Sequence, residues 1–107
     1  MIDPAEAEAA LEFLISNARS GELERVYREA RAAEHMLKYE EALLVKGLGN
    51  AGVPATVRVQ HARADDRWKA RADTEASAYA ALKVAEALRD AEKSKIMLHM
   101  SQVKDRM

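Results

Sequence analysis

Cysteine is absent from the 107 residues, which excludes disulfides, thiolate zinc sites and cysteine nucleophiles together and suits a reducing compartment. Proline occurs only at positions 4 and 54, and three of the four glycines lie between 47 and 52, so helix breakers are confined to the start of the chain and one central stretch. Aromatic residues are few: one Trp, one Phe and three Tyr. No apolar run approaches the roughly 20 residues that a membrane-spanning helix needs, and the opening "MIDPAEAEAA" is acidic and lacks the apolar segment of a signal peptide. Neither sign of charge dominates. With 17 basic and 18 acidic side chains, no global field draws the chain to nucleic acid or anionic lipid.

What remains is a charged, apolar-striped chain free to be helix. "DPAE" at 3–6 is a helix start, with Asp3 as cap and Pro4 in the first turn where its missing N–H costs nothing. Helix 1 is expected over about 4–19, with Ala7, Leu11, Leu14 and Ala18 on one face; Ser20-Gly21 either ends or kinks it. Helix 2 is expected over 22–46, where Leu23, Val26, Tyr27, Ala30, Ala33, Leu37, Leu44 and Val45 share a stripe at 100° per residue. Gly47 reads as its stop and "GLGNAGVP" as a loop over 47–55. Thr56 reads as the cap of a helix over 57–104, about 70 Å long at 1.5 Å per residue if unbroken. Its apolar face turns: Val57, Ala64, Trp68 and Ala72 point one way, and Ala81, Val84, Ala85, Leu88 and Ala91 roughly 150° away, so a break is expected near 73–78, where Asp73-Thr74 could cap. The length suits a single helical domain over 1–107, an all-α antiparallel hairpin with a short N-terminal helix.

Two further apolar patches lie off the main stripes: Met36, Tyr39 and Leu43 on helix 2, and Ile96, Met100, Val103 and Met107 near the carboxyl end. A hairpin buries one stripe per helix, so these patches call for cover, and the expected cover is a second copy or a protein partner, with a dimeric bundle favoured.

Chemistry is sparse. His35, His61 and His99 stand in no metal-ligand spacing, so no metal is expected and no cofactor is implied. Glu34 and Glu41 lie on the stripe of helix 2 as the nearest approach to a paired acid/base site, but carboxylates at a stripe's edge usually pair with Lys or Arg of the facing helix. No nucleophile motif is present, and "GLGNAG" lacks the Lys-Ser/Thr of a phosphate loop. An enzyme is not expected. "HARADDRWKAR" at 61–71 puts Arg63, Arg67 and Arg71 in one strip beside Trp68, a segment of 55–72 with five bases against two acids. Such a strip can meet nucleic-acid phosphates with Trp68 stacking on bases; the alternative makes Trp68 a core or interface anchor and leaves the arginines in solvent or paired with Asp65, Asp66 or the acidic helix 1.

The order "ALEFLISNA", "ERVYREARAAEHMLKYEEALLVK", loop, "AALKVAEALRDAEKSKIMLHMSQVKDR" resembles a family of small helical phage and prophage early-region proteins. Phe13-Leu14 with Asn17-Ala18, Glu24-Arg25 with Tyr27, and Leu37-Lys38 with Lys46 match its pattern, whereas the family's closing Trp-Arg is replaced by "HMSQVKD". The resemblance implies a phage early-region protein, often encoded near recombination or replication genes, with no catalytic residues to carry over, and the absence of cysteine makes the bacterial host's cytoplasm the expected location. The expectation is an accessory of phage recombination or replication that binds macromolecules. The alternatives are an inhibitor of a bacterial defence system or host enzyme, anti-CRISPR-like in kind, and direct binding of single-stranded DNA.

Overall fold

A computed structural model describes residues 2–105; Met107, the last member of the carboxyl-terminal patch, lies outside them. The described chain is all helical and without strands, helix making up 91% of it. Four helices follow one another: α1 Pro4–Ser20, α2 Glu22–Asn50, α3 Ala55–Arg63 and α4 Asp66–Asp105.

The start of α1 is as its residues demand. The Asp3 carboxylate accepts from the Ala5 backbone N–H at 3.0 Å, and Pro4 fills the first helical position. Gly21 ends α1 in the left-handed conformation, φ 67°, where a side chain would strain the backbone.

Three expectations give way. Gly47 does not stop α2, which continues through "GLGN" to Asn50 before the turn at 51–54. The reason lies in the next helix. Arg58 lays its guanidinium across the bare backbone of Gly49, where a Cβ would sit 3.3 Å from Cζ, and its Nε donates to the Val53 carbonyl at 2.6 Å. That clasp holds the turn directly after Asn50. Secondly, α3 starts at Ala55 behind Pro54, so Thr56 lies within the helix instead of capping it. Thirdly, the long helix is interrupted at Ala64-Asp65, not at 73–78. Asp65 turns its carboxylate onto the Arg67 backbone N–H at 2.8 Å, which caps α4, while Thr74 sits inside α4 with its hydroxyl donating to the Ala70 carbonyl.

The chain divides into two compact units, one drawn from Met1–Val26 and Ala81–Met107, the other Tyr27–Ala80. In the first, Ala7, Ala10, Val26 and Leu82 are buried, and the Ile2 backbone N–H donates to the Gln102 side chain at 3.3 Å. In the second, the buried residues are Ala30, Leu44 and Ala62. There Glu41 meets Arg63 and Glu34 meets Tyr79, so stepping back along α2 steps forward along α3 and α4, an antiparallel arrangement. The shielded positions recur every seven residues: Leu23, Ala30, Leu37 and Leu44 on α2, and Trp68, Glu75, Leu82, Arg89 and Ile96 on α4.

Gly47 is an interior helical glycine with open space where a Cβ would go. Gly47→Ala is therefore expected to raise stability by about 0.5–1 kcal/mol, read from urea unfolding. A loss on substitution would show that α2 does not run through this position in solution.

Candidate interaction surfaces

Around Trp68 the second unit forms a cleft of about 280 Å³ lined by Glu34, Leu37, Lys38, Glu41, Arg63 and Glu75 beside the indole. The joint at 64–65 sets its geometry. Arg63 closes α3 and points its guanidinium over the Trp68 ring, 5.6 Å from the centroid, while its Nε donates to Glu41 at 2.5 Å. Such a cation over an indole face is attracted by the ring quadrupole. Trp68 is half-buried, with its indole N–H shielded and without an acceptor among the described residues.

The three arginines of the 61–71 segment consequently have different fates. Arg63 belongs to α3 and is spent on Glu41 and Trp68. Arg67 pairs through Nε and Nη2 with both oxygens of Asp65, each at 3.1 Å. That contact holds the Asp65 carboxyl below its usual range and raises the Arg67 guanidinium above its own. Arg71 is exposed and has no ion-pair partner among the described residues. The strip expected on one helix is thus cut by the Asp65 cap, and two of its three charges face carboxylates.

Glu34 and Glu41, the candidate acid/base pair, are both engaged across the helices. The Tyr79 hydroxyl donates to Glu34 at 2.7 Å, and Lys38 and Arg31 each approach it to 3.3 Å. The Tyr79 hydrogen bond, then that of Lys38, keeps the Glu34 carboxyl below its ordinary value of 4.5, and the same bond raises the Tyr79 phenol. A group held ionised in this way is a poor proton donor at neutral pH. Because the folded-state value is depressed, the bond's contribution to stability is present above the unfolded value and fades as pH falls through the folded one. Tyr79→Phe is expected to move the Glu34 carboxyl titration, followed by NMR, upward, and to weaken folding at pH 7 more than at pH 3. An unmoved titration would mean that the phenol does not bond Glu34 in solution.

The expected apolar patches are only partly as drawn. On α2, Met36, Tyr39 and Leu43 are all exposed, Tyr39 to 59%. On α4, Met100 is exposed to 64% and Val103 is also open, but Ile96 is half-buried in the seven-residue seam, and its neighbour Met97 is on the surface instead. The larger departure lies between 81 and 98. Of the face Ala81, Val84, Ala85, Leu88 and Ala91, all but Ala85 are exposed, as is Leu98; the shielded positions there are Leu82, Ala85, Glu86, Arg89, Glu92 and Ile96. On α1, Leu11 and Ile15 are exposed too, and Tyr27 leaves the stripe of α2.

Among the described residues no group of His, Asp and Glu is arranged to hold a metal ion, and no helix is long and apolar enough to cross a membrane. No protein-family model, curated protein or solved structure matches the chain.

Proposed function

We propose that this chain acts without catalysis, by offering apolar helix faces to other macromolecules, as a hairpin that pairs with a second copy into a helical bundle and engages a protein partner. The observation that carries this reading is an inversion of size between inside and outside. Among the described residues no large side chain is fully buried, and the buried set is mostly alanine, while Tyr39, Leu43, Val84, Leu88, Met97 and Met100 stand in solvent. Large apolar side chains exposed in such number are seldom left uncovered.

The setting as an accessory of phage recombination or replication rests on the sequence resemblance, and inhibition of a bacterial defence system or host enzyme is the competing setting. Single-stranded DNA binding is disfavoured by the pairing of Arg63 with Glu41 and of Arg67 with Asp65. Affinity purification from phage-infected cells, run in parallel with Tyr39→Glu and Leu43→Glu, separates these readings. A recombination or replication protein captured by the native chain and lost with the variants supports the first setting, and a defence protein the second. Salt-sensitive binding to single-stranded DNA that the triple Arg63, Arg67, Arg71→Ala variant abolishes would replace both with the nucleic-acid reading.

A further inference from the structure

We infer that the exposed stripe Ala81, Val84, Leu88, Ala91, Lys95 and Leu98 of α4 is a self-association seam, on which a second copy of this chain packs its own α4 in antiparallel orientation. This rests on the self-association proposed above and specifies its surface and its direction.

The spacing of these residues is 3, 4, 3, 4 and 3, the alternation of core positions in a coiled coil. It is a second seam, separate from the shielded one through Leu82, Arg89 and Ile96. Its large members are open: Val84 is 60% exposed, Leu88 52% and Leu98 49%. Along one flank run Ala80, Ala87, Ser94 and Ser101, also seven apart and all exposed, so a facing helix can approach closely without meeting bulk or charge. Polar residues bound the stripe, Ser77 before it and Gln102 after it.

The occupant follows from size and charge along the stripe. In a parallel, in-register pair each residue meets its own twin. Lys95 would face Lys95 of the second copy, and the Ala81 and Ala91 layers would be thin beside the Leu88 and Leu98 layers. Antiparallel pairing with Leu88 against Ala91 of the second copy sets Ala81 against Leu98 and Val84 against Lys95. Every large apolar residue then meets a small one or a lysine stem, and the two lysines are far apart. Lys95 lies 3.2 Å from Glu92, which balances its charge while its stem covers Val84 and its ammonium reaches water. A net charge of −1 sets no barrier between copies. Self-association on α4 therefore leaves the Met36, Tyr39 and Leu43 face for another protein.

The test uses the full chain, whose lack of cysteine allows single labels without background. Sedimentation equilibrium is expected to give twice the 11.9 kDa monomer mass. Leu88→Glu is expected to raise the dimer dissociation constant at least tenfold with helical circular dichroism unchanged, whereas Leu43→Glu leaves it within twofold. A spin label on Ala81→Cys is expected to report roughly 25–30 Å between copies, since position 81 faces position 98 across the pair at about 1.5 Å per residue. A native chain that stays monomeric at millimolar concentration overturns both this seam and the self-association it rests on. A dimer that survives Leu88→Glu, or an 81-to-81 distance below about 15 Å, overturns the seam or its direction and leaves self-association standing.

Discussion

Leu44→Ala is expected to lower the free energy of unfolding by about 2–4 kcal/mol. Leu44 is the one leucine in the buried set of the second unit, where its companions are Ala30 and Ala62. Truncation removes apolar atoms from a thin core that has few large neighbours to relax into the space. Folded domains of this size are stable by only about 5–15 kcal/mol, so the change takes a large share of the total. Leu82→Ala, with Val26 and two alanines around the first unit's core, is expected to cost a comparable amount. Urea unfolding followed by circular dichroism reads both. A loss below about 1 kcal/mol at either site would mean that the leucine is not buried in solution.

The second large effect runs against a simple hydrophobicity argument. Ala30→Leu adds apolar volume to a seam position that already faces inward, and a count of hydrophobic residues makes it stabilising. Ala30 is 0% exposed, however, in a unit whose other buried residues are Leu44 and Ala62, so alanine there measures how near the neighbouring backbone lies. Forcing three more carbons into that space is expected to cost about 1–3 kcal/mol through displaced rotamers and backbone. The same change at exposed Ala91 should leave monomer stability within about 0.5 kcal/mol. If Ala30→Leu stabilises the chain, the helices are farther apart than described.

The features legible in the sequence were those decided locally. Asp3-Pro4 starts α1 because a carboxylate and a missing N–H both suit a first turn; at Ser20-Gly21 the sequence left an end or a kink open, and the left-handed φ of Gly21 makes it an end. The inward stripe of α2 through Val26, Ala30 and Leu44 was also legible, since apolar periodicity is strongest there. Features that depended on a distant partner were not. Gly47 looks like a stop until Arg58 is seen holding the turn beyond Asn50. Asp65 and Asp73 look alike as caps, and only the bond to the Arg67 amide separates them. The reading of α4 failed for a geometric reason. The wheel places Val84 and Leu88 roughly 150° from Trp68, and because α4 is unbroken at 73–78 it keeps the Trp68 side shielded and leaves them in solvent. Of the candidate site residues, Met36, Tyr39, Leu43, Met100 and Val103 are exposed, whereas Arg67 pairs with Asp65, a partner the sequence offered, and Arg63 with Glu41, a stripe-edge carboxylate for which a base of a facing helix was expected.

The solitary indole at position 68 gives the protein a built-in reporter. It belongs to Tyr27–Ala80 alone, whereas ellipticity at 222 nm averages every helix. Overlaying the emission melt on the ellipticity melt therefore measures cooperativity directly: coincident midpoints mean that both units open as one, and separated midpoints give the order in which they come apart.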